Sequence, residues 1–207
     1  EHTIFKLDEL KPILTPRYKK YEEISKSIIF EQREFFSLLG LEKAQIHVSG
    51  GLDSSITLAL VNKAMGKDNV VTISNPSSLN TKSKDYVVHM DEKLGLRTWW
   101  HPIQSIVDMI DRVDKEHMLA DGSPELSDTA RASIHAVLRT VLGISDSHRF
   151  KSGIVSTGNH TEIVLGWASF HDIGSIGVHA ILGDLTKVEL YELAAYINDE
   201  LYGDEII

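Results

Sequence analysis

The run Ile46-His47-Val48-Ser49-Gly50-Gly51-Leu52-Asp53-Ser54-Ser55 constrains this chain more than any other, because it joins a short β-branched strand to an amphipathic helix through a loop suited to phosphate. Two glycines let the backbone turn tightly and approach an anion, hydroxyls donate to its oxygens, and the positive end of the next helix faces it. An acidic residue in such a nest, Asp53, repels phosphate unless a divalent cation stands between them. The loop therefore predicts a polyphosphate ligand together with Mg²⁺.

The common phosphate loop, G-x-x-x-x-G-K-[ST], is absent, which argues against a kinase or GTPase. The spelling S-G-G-x-D-S instead resembles the loop of the N-type ATP pyrophosphatases, which adenylate a carbonyl or carboxylate and release pyrophosphate. Five fixed positions coincide by chance on the order of a few times in ten thousand chains of this length. The alternative reading is a Gly-Ser turn that only caps a helix, with Ser54 or Ser55 as the cap.

Apolar residues at helical spacing between Lys6 and Leu39 predict one long or two short helices ended by Gly40. After the loop, Ile56 to Val61 make a mostly buried helix closing near Gly66. Asn69 to Ser74 reads as a strand stopped by Pro76, Lys82 to Leu94 as a helix, Arg97 to Ile103 as a third strand and Ile103 to Asp114 as a helix. His117 to Ser127, centred on Asp121-Gly122-Ser123-Pro124, is a polar turn or active-site loop. A helix over Thr129 to Val141, a strand over Gly153 to Thr157, a short helix over His160 to Trp167, a Gly-bearing loop and a last helix from Thr186 complete the pattern. Strands separated by helices predict an α/β fold: a doubly wound, mostly parallel sheet with helices on both faces and ligands at its carboxyl edge. Residues 1–207 read as one domain, with 1–40 as an N-terminal helical extension. The chain ends at Asp204-Glu205-Ile206-Ile207 without a terminating element, which leaves room for further protein.

A formal charge of −9 disfavours nucleic-acid and anionic-membrane surfaces, which need clustered Lys and Arg. No apolar run reaches membrane-spanning length, and the start, Glu1-His2-Thr3-Ile4-Phe5-Lys6, lacks a signal peptide's order, so a cytoplasmic protein is expected. The 207 residues contain no cysteine. That excludes from this chain a Cys-dependent glutaminase and persulfide chemistry.

Gly153-Ile154-Val155-Ser156-Thr157-Gly158-Asn159-His160-Thr161-Glu162 repeats the strand-turn-helix theme. Thr157 can donate to a nucleotide, and Glu162 can add a second carboxylate to a metal held by Asp53. Equally, Asn159 or Thr161 is a helix cap and Glu162 a first-turn carboxylate favoured by the helix dipole.

With Ala130-Arg131-Ala132-Ser133, Leu165-Gly166 and Leu185-Thr186-Lys187 added in this order, the chain resembles the NAD synthetase family from about Gly40 to Ile197. That resemblance implies a Rossmann-like, adenine nucleotide α hydrolase-like sheet, a homodimer, and Mg-ATP as co-substrate. It implies ATP binding by Ser49, Gly50, Gly51, Asp53, Ser54, Thr157 and Lys187, and magnesium on Asp53 and Glu162. Catalysis falls to Asp53, Glu162 and Lys187, and a contact to the dinucleotide substrate to Arg131.

Departures cluster on the acceptor side. Ser133 replaces the second Arg of the family's A-R-x-R, Ser77 or Ser78 replaces an Arg after the second strand, and Ser169-Phe170-His171-Asp172 replaces a Lys-bearing loop, with His171 and Asp172 as substitute substrate contacts. The implied function is ATP-dependent amidation of deamido-NAD to NAD, using free ammonia or ammonia from a separate glutaminase. The alternatives are an amidoligase acting on another carboxylate and a catalytically silent nucleotide-binding protein.

Overall fold

A computed structural model describes residues 16–77, 83–118, 121–166 and 177–207. Five strands form one sheet in the order β3-β2-β1-β4-β5, and every neighbouring pair is parallel. In chain order the elements are α1 (Pro16–Leu38), β1 (Lys43–His47), α2 (Leu52–Met65), β2 (Val70–Ser74), α3 (Ser83–Leu94), β3 (Trp99–Trp100), α4 (Gln104–Val113), α5 (Asp128–Phe150), β4 (Ser152–Ser156), α6 (His160–Val164), β5 (His179–Ala180) and α7 (Lys187–Tyr196). This is the expected doubly wound α/β sheet. Its order reverses between β1 and β4, which opens a crevice at their carboxyl ends.

The two faces of the sheet differ. Ala44 and Ile46 on β1, Val48 just after it, and Val155 on β4 point into a core shared with α1, α2 and α7, where Phe36, Ile56, Leu58, Leu60, Leu190 and Leu193 are at most 1% exposed. Alternation then turns Gln45, His47 and Ser152 toward α5, where they form a polar layer. Helix α2 runs through the core, with nine of its 14 residues buried. Helix α1 contributes Tyr21, Ile28 and Phe36 to the same cluster, so its described part is packed within the fold. No helix among the described residues is long and apolar enough to cross a membrane.

Several boundaries differ from expectation, each for a local reason. The third strand shrinks from Arg97–Ile103 to Trp99–Trp100. Pro76 and Pro102 have no N–H to offer to a regular ladder, although His101 N still donates to Ser74 O at 2.8 Å and Ile103 N to Pro76 O at 3.1 Å. The helix from Ile103 continues past Asp114 as a π-helical turn, Asp114–Met118, so the expected loop from His117 starts inside it; among its described residues 122–127 are irregular. Helix α5 runs nine residues beyond Val141, because Gly143 remains helical and packs its carbonyl on Gln45; Lys151, in a left-handed conformation, ends it. The short helix after β4 stops at Val164, and Trp167 lies outside the described residues. Strand β5 was expected as loop. It pairs with β4 because Gly177 has no side chain: a Cβ there would stand 2.7 Å from Ile154 O.

Candidate active site

The phosphate-type loop leaves β1 at the crevice. Gly50 takes a positive φ of 73°, which a glycine accommodates without strain. The loop is closed by its own serines: Ser49 N donates to Ser54 Oγ at 3.2 Å, Gly51 N to Ser49 Oγ at 3.3 Å, and Ser54 Oγ to Gly51 O at 3.0 Å. Gly51 is the N-cap of α2 and no side chain caps the helix. Ser54 and Ser55 lie inside the first turn, so the helix-cap reading of these serines does not hold. What remains is an uncapped helix N-terminus behind a preformed loop, with the charge preference that implies for anions.

Asp53 and Lys187 meet at this end. Lys187 Nζ donates to both carboxylate oxygens of Asp53, at 2.8 and 2.7 Å. The pair is partly open, with side chains 18% and 38% exposed for Asp53 and Lys187. Lys187 is the first residue of α7, whose N-cap Thr186 forms a capping box with Glu189. Its backbone N also donates to Thr161 Oγ1 at 2.9 Å, and His160 N donates to Leu185 O, so the turn after β4 and the start of α7 are stitched together. Thr161, which sequence reading treated only as a potential cap, is thus the residue that seats Lys187. Its signal was present, a hydroxyl beside Glu162, but nothing local pointed to a partner 26 residues away.

Glu162 performs the helix-cap role. Its Oε2 accepts from Asn159 N at 3.2 Å while Asn159 Oδ1 accepts from Glu162 N at 3.1 Å. Thr157, half-buried, follows β4 on the same side of the crevice. Among the described residues no group of three His, Cys, Asp or Glu side chains stands ready for a metal ion. Asp53 and Glu162 are hard oxygen donors of the type Mg²⁺ takes, and two carboxylates leave its other positions to phosphate oxygens and water, so the donor chemistry fits.

Arg131 is held elsewhere. In the first turn of α5, it pairs through Nη1 with Asp111 Oδ1 of α4. The two line a cavity of about 340 Å³ with Gln104, Val107, Asp128 and His135. Burial, with Arg139 adding to it, holds the His135 imidazole below its ordinary pKa. Asp111 had no signal in the sequence, since its role is a contact across two helices. Ser133, in place of the second Arg, bonds back to Thr129 O in its own helix. Ser77 is 7% exposed and its hydroxyl has no partner among the described residues. Ser78, Ser169, Phe170, His171 and Asp172 lie outside the described residues.

A family model described as NAD synthase matches residues 28–206. The chain is 27% identical over 203 residues to a glutamine-dependent NAD(+) synthetase of Thermotoga maritima, covering 98% of this chain and 34% of that protein. It is 31% identical over 184 residues to an NH(3)-dependent NAD(+) synthetase of Chlorobium phaeobacteroides, covering 87% of this chain and 61% of that one. Among solved structures it is similar to a glutamine-dependent NAD+ synthetase from Acinetobacter baumannii in complex with ADP, with a TM-score of 0.82, 26% identity, and 90% and 34% of the two chains covered. The chain thus spans about a third of the length of the glutamine-dependent relatives and under two thirds of the NH(3)-dependent one.

Proposed function

The chain belongs to the NAD synthase family, and on that premise we propose that it catalyses ATP-dependent amidation of deamido-NAD. The observation that carries the reading is the Asp53–Lys187 pair at the uncapped start of α2. Without ligand the two charges neutralise each other. A polyphosphate with its cation would separate them, the ammonium going to phosphate and the carboxylate to the metal.

In this reading Ser49, Gly50, Gly51, Ser54, Thr157 and Lys187 hold ATP, and Asp53 and Glu162 are the protein ligands for Mg²⁺, with Glu162 keeping one oxygen on its helix cap. The metal, when bound, offsets negative charge on the pyrophosphate. The nicotinate carboxylate attacks the α-phosphorus, the bond to the β-phosphate oxygen breaks, and pyrophosphate leaves with an acyl adenylate remaining. Ammonia then attacks the acyl carbon, loses a proton, and expels AMP. Lys187 stabilises charge on the leaving phosphates. No protein nucleophile is required, which suits a site made of donors and carboxylates.

These 207 residues hold no cysteine to attack glutamine, so nitrogen reaches this site as ammonia, either free or released by a glutaminase site outside them. A homodimer is supported by the apolar side chains that α4 and α5 leave exposed, among them Met109, Val113 and Val141. A cytoplasmic site of action accords with a cysteine-free chain.

A second reading, amidation of a different carboxylate, is favoured by one set of observations. Arg131 is engaged by Asp111, and Ser133 and either Ser77 or Ser78 stand where the family resemblance places arginine. Pyrophosphate release and NAD formation from Mg-ATP and ammonium, with and without deamido-NAD, test both readings. Release of both products only with deamido-NAD is the expected result. Release driven by another carboxylate would replace the substrate assignment, and ATP binding without turnover for any acceptor would leave a silent nucleotide-binding protein.

A further inference from the structure

Beneath the loop, the carboxyl ends of β1, β2 and β3 are joined by a row of buried side chains. Ser152 Oγ donates to Gln45 Oε1 at 3.0 Å, and Gln45 Nε2 lies 2.9 Å from Gly143 O and 3.0 Å from His47 Nε2. An amide nitrogen only donates, so His47 Nε2 accepts and its proton sits on Nδ1. That Nδ1–H donates to Asn75 Oδ1 at 2.8 Å, and Asn75 Nδ2 donates to His101 O at 3.2 Å. Each orientation dictates the next, and one neutral tautomer of His47 satisfies the row. Gln45, His47 and Asn75 are 0%, 9% and 8% exposed.

We propose that the His47–Asn75 hydrogen bond positions the ATP loop, making both residues positioning residues for the reaction. The inference rests on the assignment of ATP to this loop. The bonds of Ser49 and Ser54 fall within residues 49–54, so they shape the loop without orienting it, and the one described tie outward, from Asp53 to Lys187, is given up to the ligand in the reading above. Orientation comes from the joint at its root. Val48 N donates to Ile73 O at 2.8 Å, and the preceding side chain, His47, is tied to the residue after β2 and, through it, to the residue after β3. An apolar pair would fill the same space and leave the strand ends free to shift. Small displacements of a binding loop are costly to ligand affinity and to rate.

The test measures Mg-ATP affinity by calorimetry and melting temperature in the full chain, for three variants. Asn75→Ala removes the acceptor of the buried His47 Nδ1–H, and should weaken ATP binding about tenfold while lowering the melting temperature. His47→Leu combined with Asn75→Leu removes both polar partners, so the melting temperature should recover while ATP binding stays weak. Affinity that recovers with stability would overturn the proposal, because the bond would then serve stability alone. Thr72→Val breaks a buried bond to Thr98 in the same sheet without touching this joint. It should leave affinity unchanged, and equal weakening there would overturn the proposal even if the double variant does not fold. An unmodified protein that binds ATP but releases no pyrophosphate would fail the amidation reading alone. One that binds no ATP would fail both.

Discussion

Asp53 and Lys187 stand 134 residues apart in the chain and share two hydrogen bonds. Asp53→Asn keeps the shape and removes the charge, so pyrophosphate release should fall at least about a hundredfold. Because the pair is partly exposed, stability should change by less than about 1 kcal/mol. A thermal melt beside the turnover assay separates the two effects, and substantial activity in the variant would remove Asp53 from the metal site. At this scale the sequence was legible where chemistry is local. The S-G-G-x-D-S spelling marks Asp53 whatever surrounds it, and Leu185-Thr186-Lys187 marks a helix start. Asp111, His47 and Asn75 were not read as partners, because an ion pair or hydrogen bond across elements leaves no periodic trace.

At the scale of elements, the start of α7 bears more than its own helix. Glu189 closes the Thr186 capping box and also accepts from Lys20 of α1 at 2.7 Å. The Lys20 bond first, then those from Thr186, lower its carboxyl from the ordinary 4.5 to about 2. A lowered carboxyl pKa contributes stability that is present above pH 4.5 and lost as the pH falls toward 2. Glu189→Gln should therefore flatten the fall of melting temperature across that window and leave a lower plateau at neutral pH. A variant that tracks the unmodified protein throughout would show that the bond carries no linkage. The capping motifs made these helix starts readable from sequence. Ends set by pairing were not: β3 is short where Pro76 and Pro102 remove ladder donors, and β5 exists because Gly177 lets two backbones approach.

Taken whole, the described residues have their main apolar cluster on the α2 side of the sheet, and α1 belongs to it. Phe36, fully buried, lies against the position a Gly153 Cβ would occupy. Phe36→Ala should cost about 3–5 kcal/mol and lower the midpoint of a single denaturation transition. A separate early transition would instead mark α1 as an independent extension. The parallel, doubly wound sheet followed from strands alternating with helices in the sequence; the inequality of its faces did not, since polar residues facing α5 look the same as polar residues facing water. That inequality has a kinetic consequence. Only His135, Ala136, Gly143 and Asp146 of the 23 residues in α5 are buried, against nine of 14 in α2. Amide hydrogens of α5 should exchange with deuterium through partial opening, while those of β1 and α2 wait for complete unfolding.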